Sequence, residues 1–168
     1  MQQESVNSID HFIEGVHLRA ESDKDRSFLF HLYASTRENE ISLFGWNEQQ
    51  KSQFLNQQFN AQHNYYRSQF KNARFNIIYN NNNRIGRFYI NHSDAEIQII
   101  DISLISDERN KGFGTQLIHL IIEEAKQKHK PIRLHVELHN PAVHLYTRLG
   151  FKEQCNNGVY RLMECLPN

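Results

Sequence analysis

Arg109, Gly112 and Gly114 stand as RxxGxG in the segment IDISLISDERNKGFGTQL, between an apolar run that reads as a buried strand and the start of an amphipathic helix. Glycines at such a junction let a ligand approach the backbone without meeting a Cβ. The N–H groups of the first helical turn, from about Lys111 to Thr115, have no partner inside the helix and point at any anion docked there. A pyrophosphate fits that geometry. The same two glycines would also serve simply to close a tight strand-to-helix connection, and the motif alone does not separate the two. GxGxxG and GxxxxGK[ST] are both absent, so neither a dinucleotide fingerprint nor a P-loop is expected.

A second constellation follows in LHVELHNPAVHLYTRLGF, where a strand ends near Leu138 and Asn140-Pro141-Ala142 opens a helix that carries Tyr146 and closes at Leu149-Gly150. Asn before Pro-Ala is a natural helix cap, and Tyr146 beside Leu145 and Leu149 suits an amphipathic core face.

The elements that hold these segments can be read from periodicity. Val16 to Ala20 alternates as a strand, and a helix is expected from near Asp23 with Phe28, Leu29, Leu32 and Tyr33 at helical spacing. A second helix is expected from about Glu48 to Arg67 with Phe54, Leu55, Phe59 and Tyr66. Arg74 to Tyr79 and Arg84 to Ile90 form a hairpin around Asn80 to Asn83, a run able to turn through left-handed conformations. After a turn at Asn91 to Asp94, Glu96 to Ile105 is the longest apolar strand-like run and should be central. Gly114 to Lys128 then makes a helix with Leu117, Ile118, Leu120, Ile121 and Ile122 on one face; Lys126, Lys128 and Lys130 lie near its negative end, and Pro131 stops it. Ile132 to Leu138 is a strand and Ala142 to Leu149 a helix. Phe151 to Cys155 with Val159 to Glu164 is a hairpin around Asn156-Asn157-Gly158. The order β α α β β β α β α β β describes one sheet with helices against it.

The chain has 168 residues, with 39% hydrophobic and 23% charged residues, enough for one modest core and not two. The expected organisation is an N-terminal tail, residues 1–15, and a single domain, residues 16–168. Nineteen basic residues balance nineteen acidic ones, so no global field draws in nucleic acid or an anionic membrane, and any anion site is local. No stretch approaches a membrane span or a secretory leader, which makes the protein most simply cytoplasmic. Cys155 and Cys165 form no CxxC, and the ten histidines lack HxxxH or HExxH spacing on a helix, so no metal site is expected and the histidines read as surface residues. An exposed Phe70 and Phe75 would mark a homodimer face.

Together, and in this order, the two segments resemble the GCN5-related N-acetyltransferase (GNAT) superfamily: RxxGxG is similar to its acetyl-CoA pyrophosphate loop, and NPAVHLYTRLGF to its second cofactor segment. The resemblance is strong from about Glu96 to Phe151. It implies an α/β fold with a mixed, mostly antiparallel central sheet of six or seven strands, flanked by helices and with a splayed central strand pair. It implies acetyl-CoA as acetyl donor, and a primary amine of a small molecule, a peptide or a protein as acceptor. The pantetheine arm would lie along Ile102, Ser103 and Leu104 to Ile105, and the backbone N–H near Leu104 would polarise the thioester carbonyl. Asn110, Lys111, Gly112, Phe113, Gly114 and Thr115 would wrap the pyrophosphate, with Arg109 bracing the loop. Asn140 is similar to the amide that bonds the pantetheine arm, and Tyr146 to the hydroxyl that protonates the leaving thiolate.

Where several members of the family place a glutamate base, this sequence has Gln98, which cannot take a proton at useful pH. Glu96, Glu137, His135 and His139 are the remaining candidates, alongside water, and each could equally be an exposed strand-edge residue. Tyr33, Arg37, Glu38, Glu40, Trp46, His63, Tyr65 and Tyr66 are the candidates for an acceptor pocket, with Tyr33 and Glu40 favoured. The missing base also motivates a different class of function, a non-catalytic acyl-CoA-binding or sensing module on the same fold.

Overall fold

A computed structural model describes residues 14–168; the expected tail at 1–15 falls almost entirely outside them. Seven strands form one sheet in the order β1-β2-β3-β4-β5-β7-β6. These are β1 (Val16–Ala20), β2 (Arg74–Asn80), β3 (Asn83–His92), β4 (Ile97–Leu104), β5 (Ile132–Glu137), β6 (Lys152–Asn156) and β7 (Tyr160–Cys165). Every neighbouring pair is antiparallel except β4 with β5, which runs parallel because a helix crosses over between them. The sheet is therefore mixed and mostly antiparallel, as expected.

Two helices cover each face. On one side α1 (Arg26–Ser42) and α2 (Glu48–Gln69) pack Leu29, Tyr33 and Phe59 against Ile77 of β2. The chain enters α1 through a short 3-10 turn at Asp23–Asp25, so the helix proper begins three residues later than the sequence suggests. On the other side α3 (Phe113–Lys128) and α4 (Ala142–Arg148) close the larger core. Leu117, Ile118, Ile121, Ile122 and Ala125 recur every three or four residues along α3, which is why one stripe of that helix is fully buried. The two adjacent isoleucines of β2 divide between the faces, Ile77 to the α1–α2 side and Ile78 to the α3 side, as strand alternation requires.

β3 is buried on both faces from Ile85 to Ile90. A Cβ on Gly86 would stand 2.2 Å from the Ser103 carbonyl oxygen, so only glycine lets β3 and β4 approach there. Across from it the register slips between Tyr89 and Ile90: Tyr89 pairs with Asp101 and Ile90 with Ile99, leaving Ile100 as one extra residue on β4. The slip is a β-bulge, and it changes which face every later residue of β4 presents.

The exposure of Phe70 and Phe75, on which the expected homodimer face rests, is only partial. Both rings are half-buried, and Phe75 lies edge-on to Tyr89 with the Arg67 guanidinium over it. The histidines are not uniformly on the surface either, since His92 is largely covered and its Nε2 lies 2.9 Å from Glu124 Oε1.

Candidate active site

The bulge at Ile100 coincides with the place where β4 leaves β5. Parallel pairing joins Ile97 to Ile132, Gln98 to Arg133 and Ile99 to Leu134, and then ends. From Ile100 to Leu104 the edge of β4 that faces β5 is unpaired. The Ile105 N–H bonds the Ile85 carbonyl and so points at β3; since successive peptide groups of an extended strand point to opposite edges, the Leu104 N–H points into the gap. The Leu104 carbonyl points the same way and accepts a hydrogen bond from Arg109 Nε at 2.9 Å. Arg109 thus ties the loop before α3 to the end of the splayed strand.

That loop turns through two left-handed residues, Asn110 at φ 60° and Gly112 at φ 91°. Gly112 needs that conformation, and nothing lies within 4 Å of where its Cβ would be. Gly112 caps α3, its carbonyl taking the Gln116 N–H, so the N–H groups of Phe113, Gly114 and Thr115 open the helix unpaired. A Cβ on Gly114 would meet only Leu145 and Ile102 side chains, at 3.7 and 3.9 Å. The loop is a cradle of open backbone donors at the positive end of a 16-residue helix, and a pyrophosphate fits its donor set. Lys111, in the same loop, is exposed and pairs with Glu108 at 3.4 Å.

A cleft of about 280 Å³ runs along the gap, floored by Ile99 to Ser103 of β4 and walled by Leu134 to Glu137 of β5. Ile102 and Ser103 line it directly, as do Asn140 and Tyr146. Asn140 Oδ1 accepts from the Ala142 N–H at 2.9 Å in an Asx turn one residue before the cap of α4, which is Pro141, and its Nδ2 donor is left over. Tyr146 is 6% exposed and packs on Phe151. Burial, with the Asp101 charge adding to it, pushes its hydroxyl well above the ordinary tyrosine range, so it carries its proton throughout neutral pH.

Asp101 is the residue that sequence reasoning missed. Its Oδ2 accepts from Arg87 Nη2 at 2.9 Å and from the Tyr66 hydroxyl at 3.0 Å, and its Oδ1 from the Ser103 hydroxyl at 2.7 Å. Gln62 Oε1 takes a second bond from Arg87 Nη2 at 2.8 Å. Burial drives the Arg87 guanidinium down, but Asp101 and the surrounding tyrosines more than offset this, and its pKa ends above the usual value.

Of the residues expected to build an acceptor pocket, Tyr33, Arg37, Glu40 and Tyr66 line the cleft, joined by Gln62, Arg87 and Tyr160. Glu38 faces a separate groove between α1 and α2, Trp46 packs between Phe44 and Phe54, His63 lies against Phe59, and Tyr65 is exposed. Among the proton-relay candidates, His135 and Glu137 reach the cleft. Glu96 instead pairs with Arg133 at 2.6 Å, and neither His139 nor Gln98 is among the lining residues.

Residues 29–151 match the family model described as acetyltransferase (GNAT) family, and the chain belongs to that family. Among solved structures it is similar to the PaiA N-acetyltransferase of Thermoplasma acidophilum in complex with coenzyme A, at 19% identity and a TM-score of 0.66, over 90% of this chain and 98% of that one. It is similar to a chimera of the Vibrio cholerae spermidine N-acetyltransferase SpeG with hSSAT, at 23% identity and a TM-score of 0.61, over 91% and 96%. A GNAT acetyltransferase of Elizabethkingia anophelis with acetyl-CoA bound is similar at 15% identity and a TM-score of 0.56, over 92% and 99%. At these identities the likeness is one of fold. A search of curated proteins finds no match.

Proposed function

We propose that the protein transfers the acetyl group of acetyl-CoA to a primary amine. The observation that carries this reading is the splayed end of β4: open backbone groups face a cleft, and the phosphate-type cradle of α3 stands at its head. The support from relatives is that two of the similar structures hold coenzyme A or acetyl-CoA and that a third acts on spermidine, an amine. When bound, acetyl-CoA supplies an activated thioester carbonyl.

In this reading Asn110 to Thr115 bind the pyrophosphate and Arg109 holds their loop. Ile102, Ser103 and Leu104 align the pantetheine arm, with the Asn140 Nδ2 donor beside it. The Leu104 N–H hydrogen-bonds the carbonyl oxygen, where negative charge grows as the amine attacks; such a donor is worth roughly a hundred- to a thousandfold in rate. The amine nitrogen bonds to the carbonyl carbon, the carbon–sulfur bond breaks, and Tyr146 gives its proton to the departing thiolate. The amine attacks only as the neutral base, so a bound ammonium first gives a proton to His135, Glu137 or water, since Gln98 cannot accept it, and the proton lost from nitrogen on attack restores that of Tyr146.

A thermal-shift titration with acetyl-CoA, followed by free-thiol release across a panel of amines, tests the reading. Stabilisation and thiol release on a primary amine are expected. Stabilisation with no release on any amine would favour a binding module, and no stabilisation would remove the cofactor assignment.

A further inference from the structure

The cleft's charges are mostly spent on one another. Three carboxylates, Glu40, Asp101 and Glu137, line it together with two guanidiniums, Arg37 and Arg87. Arg87 is bound to Asp101 at 2.9 Å in a nearly buried pair, and Arg37 to Glu40 at 2.9 Å at the mouth. Among the carboxylates and guanidiniums of the lining, a single negative charge is left uncompensated. It sits on Glu137, which has no ion-pair partner among the described residues and whose field reaches Arg37 only at a distance.

Glu137 is the last residue of β5 and stands directly across from Tyr160 of β7. Directly paired residues on antiparallel strands point to the same face with Cβ atoms roughly 5 Å apart. Both line the cleft, and Tyr160 is 42% exposed with no ring or guanidinium stacked on it among the described residues, whereas the Tyr33 ring is already covered by the Arg37 guanidinium and the Tyr66 ring packs on Tyr89. A carboxylate beside an uncovered aromatic face holds one ammonium group by charge and by cation-π attraction.

We infer that the acceptor is a primary amine bearing a single positive charge on an otherwise uncharged body, and that Glu137 with Tyr160 determines this specificity. The inference rests on the acetyl-transfer reading for the reaction but not for the binding. A polycation carries two or three charges into a cleft that offers compensation for one; its further ammonium groups would lie against Arg37 and Arg87. Tyr160 and Ile100, beside the neutral polar side chains of Thr36 and Gln62, suit an uncharged body instead.

The test is calorimetric titration of 2-phenylethylamine and of spermidine into the protein saturated with coenzyme A, with free-thiol release from acetyl-CoA measured in parallel. Phenylethylamine should bind more tightly than spermidine, and Glu137→Gln should weaken its binding roughly fivefold, as should Tyr160→Leu. The affinity for coenzyme A should not change in either variant. Spermidine binding as tightly as phenylethylamine, binding of neither amine, or unchanged amine affinity in Glu137→Gln would each overturn the inference. Tight binding of the monoamine without thiol release would count against acetyl transfer alone, leaving the specificity of the cleft as inferred.

Discussion

Arg87 of β3 and Asp101 of β4 form an ion pair at 2.9 Å with side chains only 5% and 12% exposed, at the point where the bulge has just turned Asp101 toward the acceptor side of the sheet. Taking two charges out of water is costly, and what makes the pair tolerable is the set of additional partners, Tyr66 and Ser103 on the carboxylate and Gln62 on the guanidinium. Replacing Arg87 by Met leaves that carboxylate covered and without its cation. A loss of about 3 to 5 kcal/mol in chemical denaturation is expected. The double variant Arg87→Met with Asp101→Leu should recover much of it, and equal losses in the single and double variants would mean that the pair is not what matters.

Gly114→Glu should abolish stabilisation by acetyl-CoA, because a carboxylate would stand among the α3 N–H groups that await an anion. Gly114→Ala is the control for folding: the added Cβ meets side-chain atoms at ordinary contact distances, so its melting temperature should stay close to that of the parent. Undiminished acetyl-CoA binding in Gly114→Glu would discard the loop as the cofactor site.

Tyr146→Phe removes one hydroxyl from a buried ring and keeps the ring's packing on Phe151. A proton donor used only as the thiolate departs leaves substrate binding alone, so kcat should fall by roughly a hundredfold or more while acetyl-CoA affinity holds. Steady-state kinetics paired with a binding titration separates the two quantities. Unaltered turnover would reduce Tyr146 to a core residue.

Acid stability should depend on Glu124. Burial works to raise its carboxyl, but hydrogen bonds from His92 and Lys128 prevail and hold it down at about 2, against an ordinary 4.5. A carboxyl depressed in the folded state stabilises it fully above about 4.5, and that contribution is lost as pH falls from there toward 2. Because the site is partly open to solvent, Glu124→Gln should cost only about 1 to 2 kcal/mol at neutral pH, and less at pH 3. Denaturation curves at pH 7 and pH 3 give the difference, and the same loss at both would show that packing rather than charge is responsible.

The element order was fully legible because each stretch has a clean period: α3 repeats its isoleucines and leucines at helical spacing, and β5 alternates strictly from Ile132 to Glu137. Boundaries moved by one to three residues where capping decides them, as at α3, which begins at Phe113 once Gly112 takes the left-handed conformation. Asp101 was illegible for a definite reason. Strict alternation from Ile97 and Ile99 puts residue 101 on the core face, where a carboxylate makes no sense, and only the extra residue at Ile100 carries it to the opposite face. One signal was present in the sequence. Apolar residues fall at 97 and 99 and then at 102 and 104, and that jump of phase is what a bulge looks like in one dimension. Glu137 and Tyr160 are separated by twenty-two intervening residues, and only the β5–β7 register sets them side by side.

The three-residue parallel seam between β4 and β5 also has a mechanical meaning. Among the described residues it is the only strand contact between the part of the sheet made by β1 to β4 and the part made by β5 to β7, so the two parts meet there as the covers of a book meet at its spine. Helix α3 packs on both β4 and β5 and acts as a splint across that spine. Whatever grips the first turn of α3 while lying along the open edge of β4 is fastened to the splint and to one cover at once.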